Sequence, residues 1–130
     1  MSQRTVILSD THMGRDHSTA GSPDALRPLW EGADRLIING DVAEVGHYCY
    51  RAAAARHVLR LQELCERDGV ELTLMSGNHD PLLSDVRFLH LADGLIFLTD
   101  GEVLHPAIAP WSPYGKQLRK LTDEARQRYA

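Results

Sequence analysis

Three short polar strings carry the side chains in this chain that could do chemistry. They are Asp10-Thr11-His12, Gly40-Asp41-Val42-Ala43-Glu44 and Gly77-Asn78-His79-Asp80. Together they offer carboxylates, imidazoles and one carboxamide, with no thiolate, a donor set suited to Mn, Fe, Zn or similar divalent ions. Asp10 and His12 are two residues apart and can face one point if the backbone bends between them. Asp41 has two carboxylate oxygens and can bridge two cations about 3.5–4 Å apart, an arrangement that holds the attacking and leaving oxygens of an in-line displacement at phosphorus. His79, beside the weak amide ligand Asn78, is placed to donate a proton to a phosphate oxygen or leaving group. Asp80 would fix its tautomer. Glu44 reads as a hydrogen-bond acceptor behind the ligands rather than as a ligand.

Each string alone has a plainer origin. Gly-Asp after a strand is commonly a turn, and Gly, Asn, Asp and Pro from Gly77 to Pro81 all favour turns. Four specified residues recur by chance on the order of once per 10⁵ positions. Three such strings, each closing a strand-like segment, make coincidence a poor explanation.

The segments that must position them are brief apolar runs. Thr5–Ser9, Arg35–Asn39, Glu71–Met75 and Leu95–Thr99 read as strands buried on both faces of a parallel sheet. Helical patterns fall between them. One opens at Pro23-Asp24 and runs to about Trp30. The longest covers about Val45 to Arg67, with Ala52, Ala55, Leu59 and Leu64 near one face, and Asp68-Gly69 ends it. A last helix, from Lys116 to about Tyr129, carries Leu118, Leu121 and Ala125 at helical spacing. Between them His105 to Gly115, with three prolines, should be irregular. Alternating strands and helices give an α/β layer architecture, in which ligands bind outside the carboxyl ends of the strands. That is where the three strings would converge.

At 130 residues the chain fits one domain, 1–130, and I-, L-, V- and A-type side chains must build its core, since aromatics make up only 6%. A net charge of -4 does not indicate a nucleic-acid partner. No apolar run approaches the ~20 residues of a membrane helix, and Val6 to Leu8 is too short for a signal peptide's apolar region. The expectation is a soluble, cytoplasmic protein. Cys49 and Cys65, sixteen residues apart in one expected helix, would lie about 24 Å apart, outside disulfide reach.

The order D-x-H, G-D-x-x-E, G-N-H-D resembles the calcineurin-like metallophosphoesterase superfamily. The resemblance implies Asp10 and His12 on one metal, Asp41 bridging, Asn78 on the second metal, and His79 as the catalytic histidine beside the leaving group. It also implies two divalent ions and a metal-bridging hydroxide as nucleophile toward a phosphomonoester or phosphodiester substrate. Two further parts of the family pattern differ here. The histidine of a fourth motif is replaced by Asp100, in Asp100-Gly101-Glu102. Asp100 then becomes the metal ligand at that place; His105, beside Pro106, is the weaker substitute. A fifth motif, G-H-x-H, does not occur between residue 102 and Ala130. The fold expected is therefore a metallophosphoesterase-like α/β sandwich reduced to its first sheet and flanking helices, truncated relative to the family. A homodimer would be one way to cover the sheet face left wet. Two functional readings follow: a metal-dependent phosphoesterase, or a non-catalytic module of the same fold that binds rather than hydrolyses.

Of the other histidines, His17 and His47 lie near the strings and could approach substrate. His57 reads as solvated and His90 as a packing residue.

Overall fold

Leu36, Ile37 and Ile38 are all fully buried, and a strand apolar on both faces belongs in the middle of a sheet. In the computed structural model, which describes residues 3–109 and 112–129, that strand is β2 (Arg35–Asn39), flanked by β1 (Thr5–Leu8) and β3 (Glu71–Met75) in the order β1-β2-β3. Both pairings are parallel, with Val6 opposite Leu36 and Leu36 opposite Leu72. The described chain forms two compact units, Met1–Asp100 and Gly101–Ala130.

In the first unit, one face of the sheet packs on a long helix, α2 (Arg51–Asp68). Leu36 and Ile38 from β2, joined by Val6, Leu8, Leu72 and Leu74, meet Ala54, Val58, Leu61, Leu64 and Cys65 from the helix. The spacing 54, 58, 61, 65 is one helical stripe. This corrects the expected face: Leu59 is 64% exposed, and Ala52 and Ala55 are exposed as well. The four consecutive alanines and arginine neighbours at 51–56 fit several phases of the helix, and Val58 with Leu61 decides among them. The start also differs from the expected Val45. Residues 45–50 form turns, with the His47 N–H donating to the Glu44 carbonyl (3.2 Å) and the Tyr50 N–H to that of His47 (3.1 Å). Cys49 is therefore outside the helix and exposed, while Cys65 is buried. Gly69, at φ 68°, ends α2 with its N–H on the last carbonyls.

Ser22 caps the short helix α1 (Pro23–Leu26), which tightens into a 3-10 turn over Arg27–Trp30. This pair sits against the end of α2: the Arg27 guanidinium donates twice to Asp68, and the Trp30 indole N–H donates to the same carboxylate at 3.1 Å.

The fourth expected strand is real, but it does not extend the parallel sheet. β4 (Phe88–Leu91) and β5 (Ile96–Thr99) pair antiparallel with each other. The cause is legible afterwards in Asp93-Gly94 between two apolar runs, a hairpin turn signal; Ala92, Asp93 and Gly94 all take positive φ there. His90 lies on the exposed face of this hairpin with Phe88 and Phe97, its ring 5.1 Å from that of Phe97. Among the described residues only β2 is buried on both faces; the edge strands β1 and β3 are not.

The second unit holds a 3-10 turn (Glu102–Leu104) and α3 (Pro113–Tyr129). Gly115 lets the Ala109 carbonyl approach where a β-carbon would stand. Leu118 and Leu121 are 47% and 52% exposed.

Candidate metal centre

The loops leaving β1 and β2 continue as a laced pair. His12 and Met13 donate their N–H groups to the carbonyls of Asp41 and Val42, both at 2.9 Å, and Glu44 returns one to Met13 at 3.0 Å. The Thr11 hydroxyl donates to the Val42 carbonyl at 2.7 Å. Gly14 seats this pair on α2, because a β-carbon there would come within 2.7 Å of the Ala54 backbone. Within this frame Asp10, His12 and Asp41 have φ of 54°, 43° and 47°. Left-handed backbone is costly for residues with a β-carbon and concentrates at functional sites. Here it supplies the bend that turns the three side chains inward.

Two ligand-type clusters result. One donor atom each from His12, Asp41 and His79 lie within 4.8 Å of one another, and so do one each from Asp10, Asp41 and Asp100. Asp41 is common to both. It is almost fully buried, whereas Asp10 stands at the open side, its side chain 62% exposed. His12 Nε2 lies 3.7 Å from Asp10 and 3.8 Å from Asp41, with its ring edge-on to that of His79 at 4.7 Å.

Glu44 stands behind both imidazoles. One oxygen is 2.8 Å from His12 Nδ1 and the other 3.0 Å from His79 Nδ1. A carboxylate acceptor on each Nδ1 leaves each Nε2 lone pair for a cation or a transferred proton. Burial works against charge on Glu44, yet the hydrogen bonds from His79 and His12 outweigh it and hold the carboxyl below its usual range. Arg15 reaches the same carboxylate at 3.9 Å.

Asp80 does something other than orient His79. It is fully buried, and its oxygens accept from the backbone N–H groups of Gly77 (2.8 Å), Val42 (2.6 Å) and Ala43 (3.2 Å). Burial pushes its carboxyl above the usual range in spite of those three donors. The tautomer partner expected of Asp80 is Glu44 instead. Adjacency to His79 suggests a pairing, but two of the three N–H donors that claim Asp80 lie 37 and 38 residues back in the chain. Its role is to clamp the second string onto the third.

Two glycines complete the seat. A β-carbon on Gly77 would collide with Asp41 Oδ1, and one on Gly40 (φ 76°) with the Asp100 carboxylate. The His79 N–H donates to that same Asp41 oxygen at 2.9 Å. Asp100 is brought in by the end of β5, where the Asn39 side-chain amide donates to the Thr99 carbonyl at 3.0 Å. That contact, and the close approach of Asp100 to Gly40, had no signal in the sequence. Asn78 lies exposed beside His79. His105 belongs to the second unit, where its ring accepts from the Ala107 N–H. An open groove of about 820 Å³ between α2, β3 and residues 83–86 is lined by none of these residues.

A family model described as calcineurin-like phosphoesterase matches residues 3–126. The chain belongs to that family. No curated protein and no solved structure matches it. Members of the calcineurin-like phosphoesterase family typically bind divalent metals, and the residues present here fit that requirement on their own chemistry. The donors are oxygen and nitrogen, one buried carboxylate serves both clusters, and two glycines leave room for the carboxylates. No helix among the described residues is long and apolar enough to cross a membrane.

Proposed function

We propose that this chain hydrolyses a phosphate ester, a monoester or a diester, with two divalent ions held on either side of Asp41. The observation that carries the reading is the sharing of Asp41 by both clusters. When bound, such ions supply Lewis acidity toward the phosphoryl oxygens and lower the pKa of water toward neutrality. The chain's own residues do the rest. Asp41 would serve both ions, with Asp10 and His12 as the other ligands of one. Asp100, in the place of the family's histidine, and the neutral Asn78 would serve the other. His79, its Nδ1 held by Glu44, presents Nε2 to the leaving oxygen as the proton donor. Asp80 keeps the two loops in register and does not meet substrate.

The supporting experiment is hydrolysis of bis(4-nitrophenyl) phosphate by manganese-loaded protein. Activity is expected, and Asp41→Asn should abolish it. Activity unchanged by that substitution would remove Asp41 from the reaction.

A second reading has a specific observation in its favour. Asp100 stands where the family carries a histidine, and its carboxylate already fills the space beside Gly40. A binding module of the same fold would hold one ion or none and hydrolyse nothing. Elemental counting of bound metal separates it from the enzyme. The cytoplasm is the compartment proposed, on the free thiols of Cys49 and Cys65.

A further inference from the structure

We propose that Arg15 grips the phosphoryl group of the substrate and makes the site prefer a phosphomonoester to a diester. The inference rests on the phosphate-ester reading above. It goes beyond that reading to the substrate class and to a residue the reading does not use.

Arg15 stands on a loop tied at both ends. Its N–H donates to the His12 carbonyl at 3.3 Å, and its own carbonyl accepts from the Ser18 N–H at 3.2 Å. The Ser18 hydroxyl closes the loop on the Thr11 carbonyl at 2.8 Å, and Gly14 is wedged against the Ala54 backbone. The frame that bends Asp10 and His12 inward therefore also fixes Arg15 at the rim.

The side chain is placed there but not consumed. One guanidinium nitrogen lies 3.9 Å from Glu44 Oε1, beyond hydrogen-bond distance. That oxygen is already taken by His12 Nδ1 at 2.8 Å, and the other by His79 Nδ1 at 3.0 Å. Glu44 does not need Arg15 as a hydrogen-bond donor. The guanidinium makes no hydrogen bond among the described residues, and the side chain is 54% exposed. Its donors face the open side of the centre unspent.

Charge decides what they receive. Asp10, Asp41, Asp100 and Glu44 carry four formal negative charges, which two divalent ions would cancel but not exceed. Arg15 tips that balance toward an anion, and guanidinium donors match phosphoryl oxygens in shape and charge. A diester keeps two unesterified oxygens and one negative charge. A monoester keeps three oxygens and, above its second pKa of about 6, two charges. With two oxygens committed to two ions, only the monoester has a third for the guanidinium.

The test compares 4-nitrophenyl phosphate with bis(4-nitrophenyl) phosphate as substrates at pH 8. Manganese-loaded parent, Arg15→Ala and Arg15→Lys are assayed, and calorimetry measures inorganic phosphate binding to each. Arg15→Ala should lower kcat/KM for the monoester about tenfold or more, the scale of a hydrogen bond to a charged group. The loss should fall chiefly on KM, with the diester nearly unchanged. Phosphate affinity should drop by the same factor, and Arg15→Lys, which keeps the charge without the fork, should restore part of both. Bound metal and the thermal midpoint should match the parent. Equal losses on the two esters would overturn the proposal, as would phosphate held as tightly by Arg15→Ala as by the parent. Metal lost from Arg15→Ala would overturn it too, by making Arg15 a prop for the centre. Hydrolysis of neither ester by the parent would overturn the phosphate-ester reading itself, so the two failures are distinguishable.

Discussion

Asp41 occupies the volume that a side chain on Gly77 would need, so the carboxylate shared by both clusters is held by the absence of a methyl group. The two residues lie 36 positions apart, on loops leaving adjacent parallel strands. Gly77→Ala must push either the carboxylate or the loop aside. Overpacking of this kind costs about 1–3 kcal/mol. Metal affinity should fall together with thermal stability, read by calorimetry on metal-free and metal-loaded protein. A variant that keeps both would mean the contact yields without consequence.

Glu44→Gln tests the shared brace. Glutamine keeps the volume and one acceptor but cannot serve both ring N–H groups with anionic oxygens. Metal affinity should drop about 10–100-fold, the range for partners of ligating histidines, with little change in the denaturation midpoint. Unchanged affinity would show that the histidines orient themselves.

The meeting of Asp10, His12, Asp41 and His79 at one place was legible in the sequence, and the surroundings were less so. Asp10, His12, Asp41 and His79 advertise themselves because each string closes an apolar strand, and the strands β1 to β3 were read to within a residue. The hairpin was missed because Leu95–Thr99 is as apolar as a parallel strand. Only the Asp93-Gly94 turn tells the two apart. The stripe of α2 was misread because alanines and arginines crowd its first turns. Asp80 and Asp100 are the hardest, since Val42 and Ala43 and Gly40, which they meet, lie about 40 to 60 residues back and no local pattern encodes the contact.

Leu61 anchors the stripe of α2 that meets the sheet and is fully buried. Leu61→Ala should destabilise by about 2–5 kcal/mol, measured by urea unfolding. Leu59→Ala, two positions earlier, should stay within about 0.5 kcal/mol, as for an exposed site. Equal costs would return the helix face to the one expected from sequence.

The two thiols should differ sharply. Burial, with the nearby Asp68 charge, pushes the Cys65 thiol up to about 11, whereas Cys49 is exposed. At pH 8 a thiol reagent should modify one cysteine quickly and the second only after unfolding. Mass mapping of the labelled peptides identifies which. Rapid labelling of Cys65 would contradict the packing of α2.

Asp68 gives a pH dependence with a definite sign. The hydrogen bond from Arg27, reinforced by the Trp30 indole N–H, outweighs burial and lowers its carboxyl below the ordinary 3.8. A depressed folded-state value means stability present above pH 3.8 and lost as pH falls through that lower value. The stability advantage of the parent over Asp68→Asn, read from Trp30 fluorescence during urea unfolding, should shrink below pH 3.8. An advantage that persists in strong acid would mean the carboxylate's charge is not what holds the helices together.

The left-handed backbone at Asp10, His12 and Asp41 has a consequence for how tightly an ion can be held. Each such residue costs of order 1–3 kcal/mol, and the sheet and its laced loops absorb that expense when the chain folds. A cation binding there would meet arms already bent to receive it, and none of its binding energy would go into bending them.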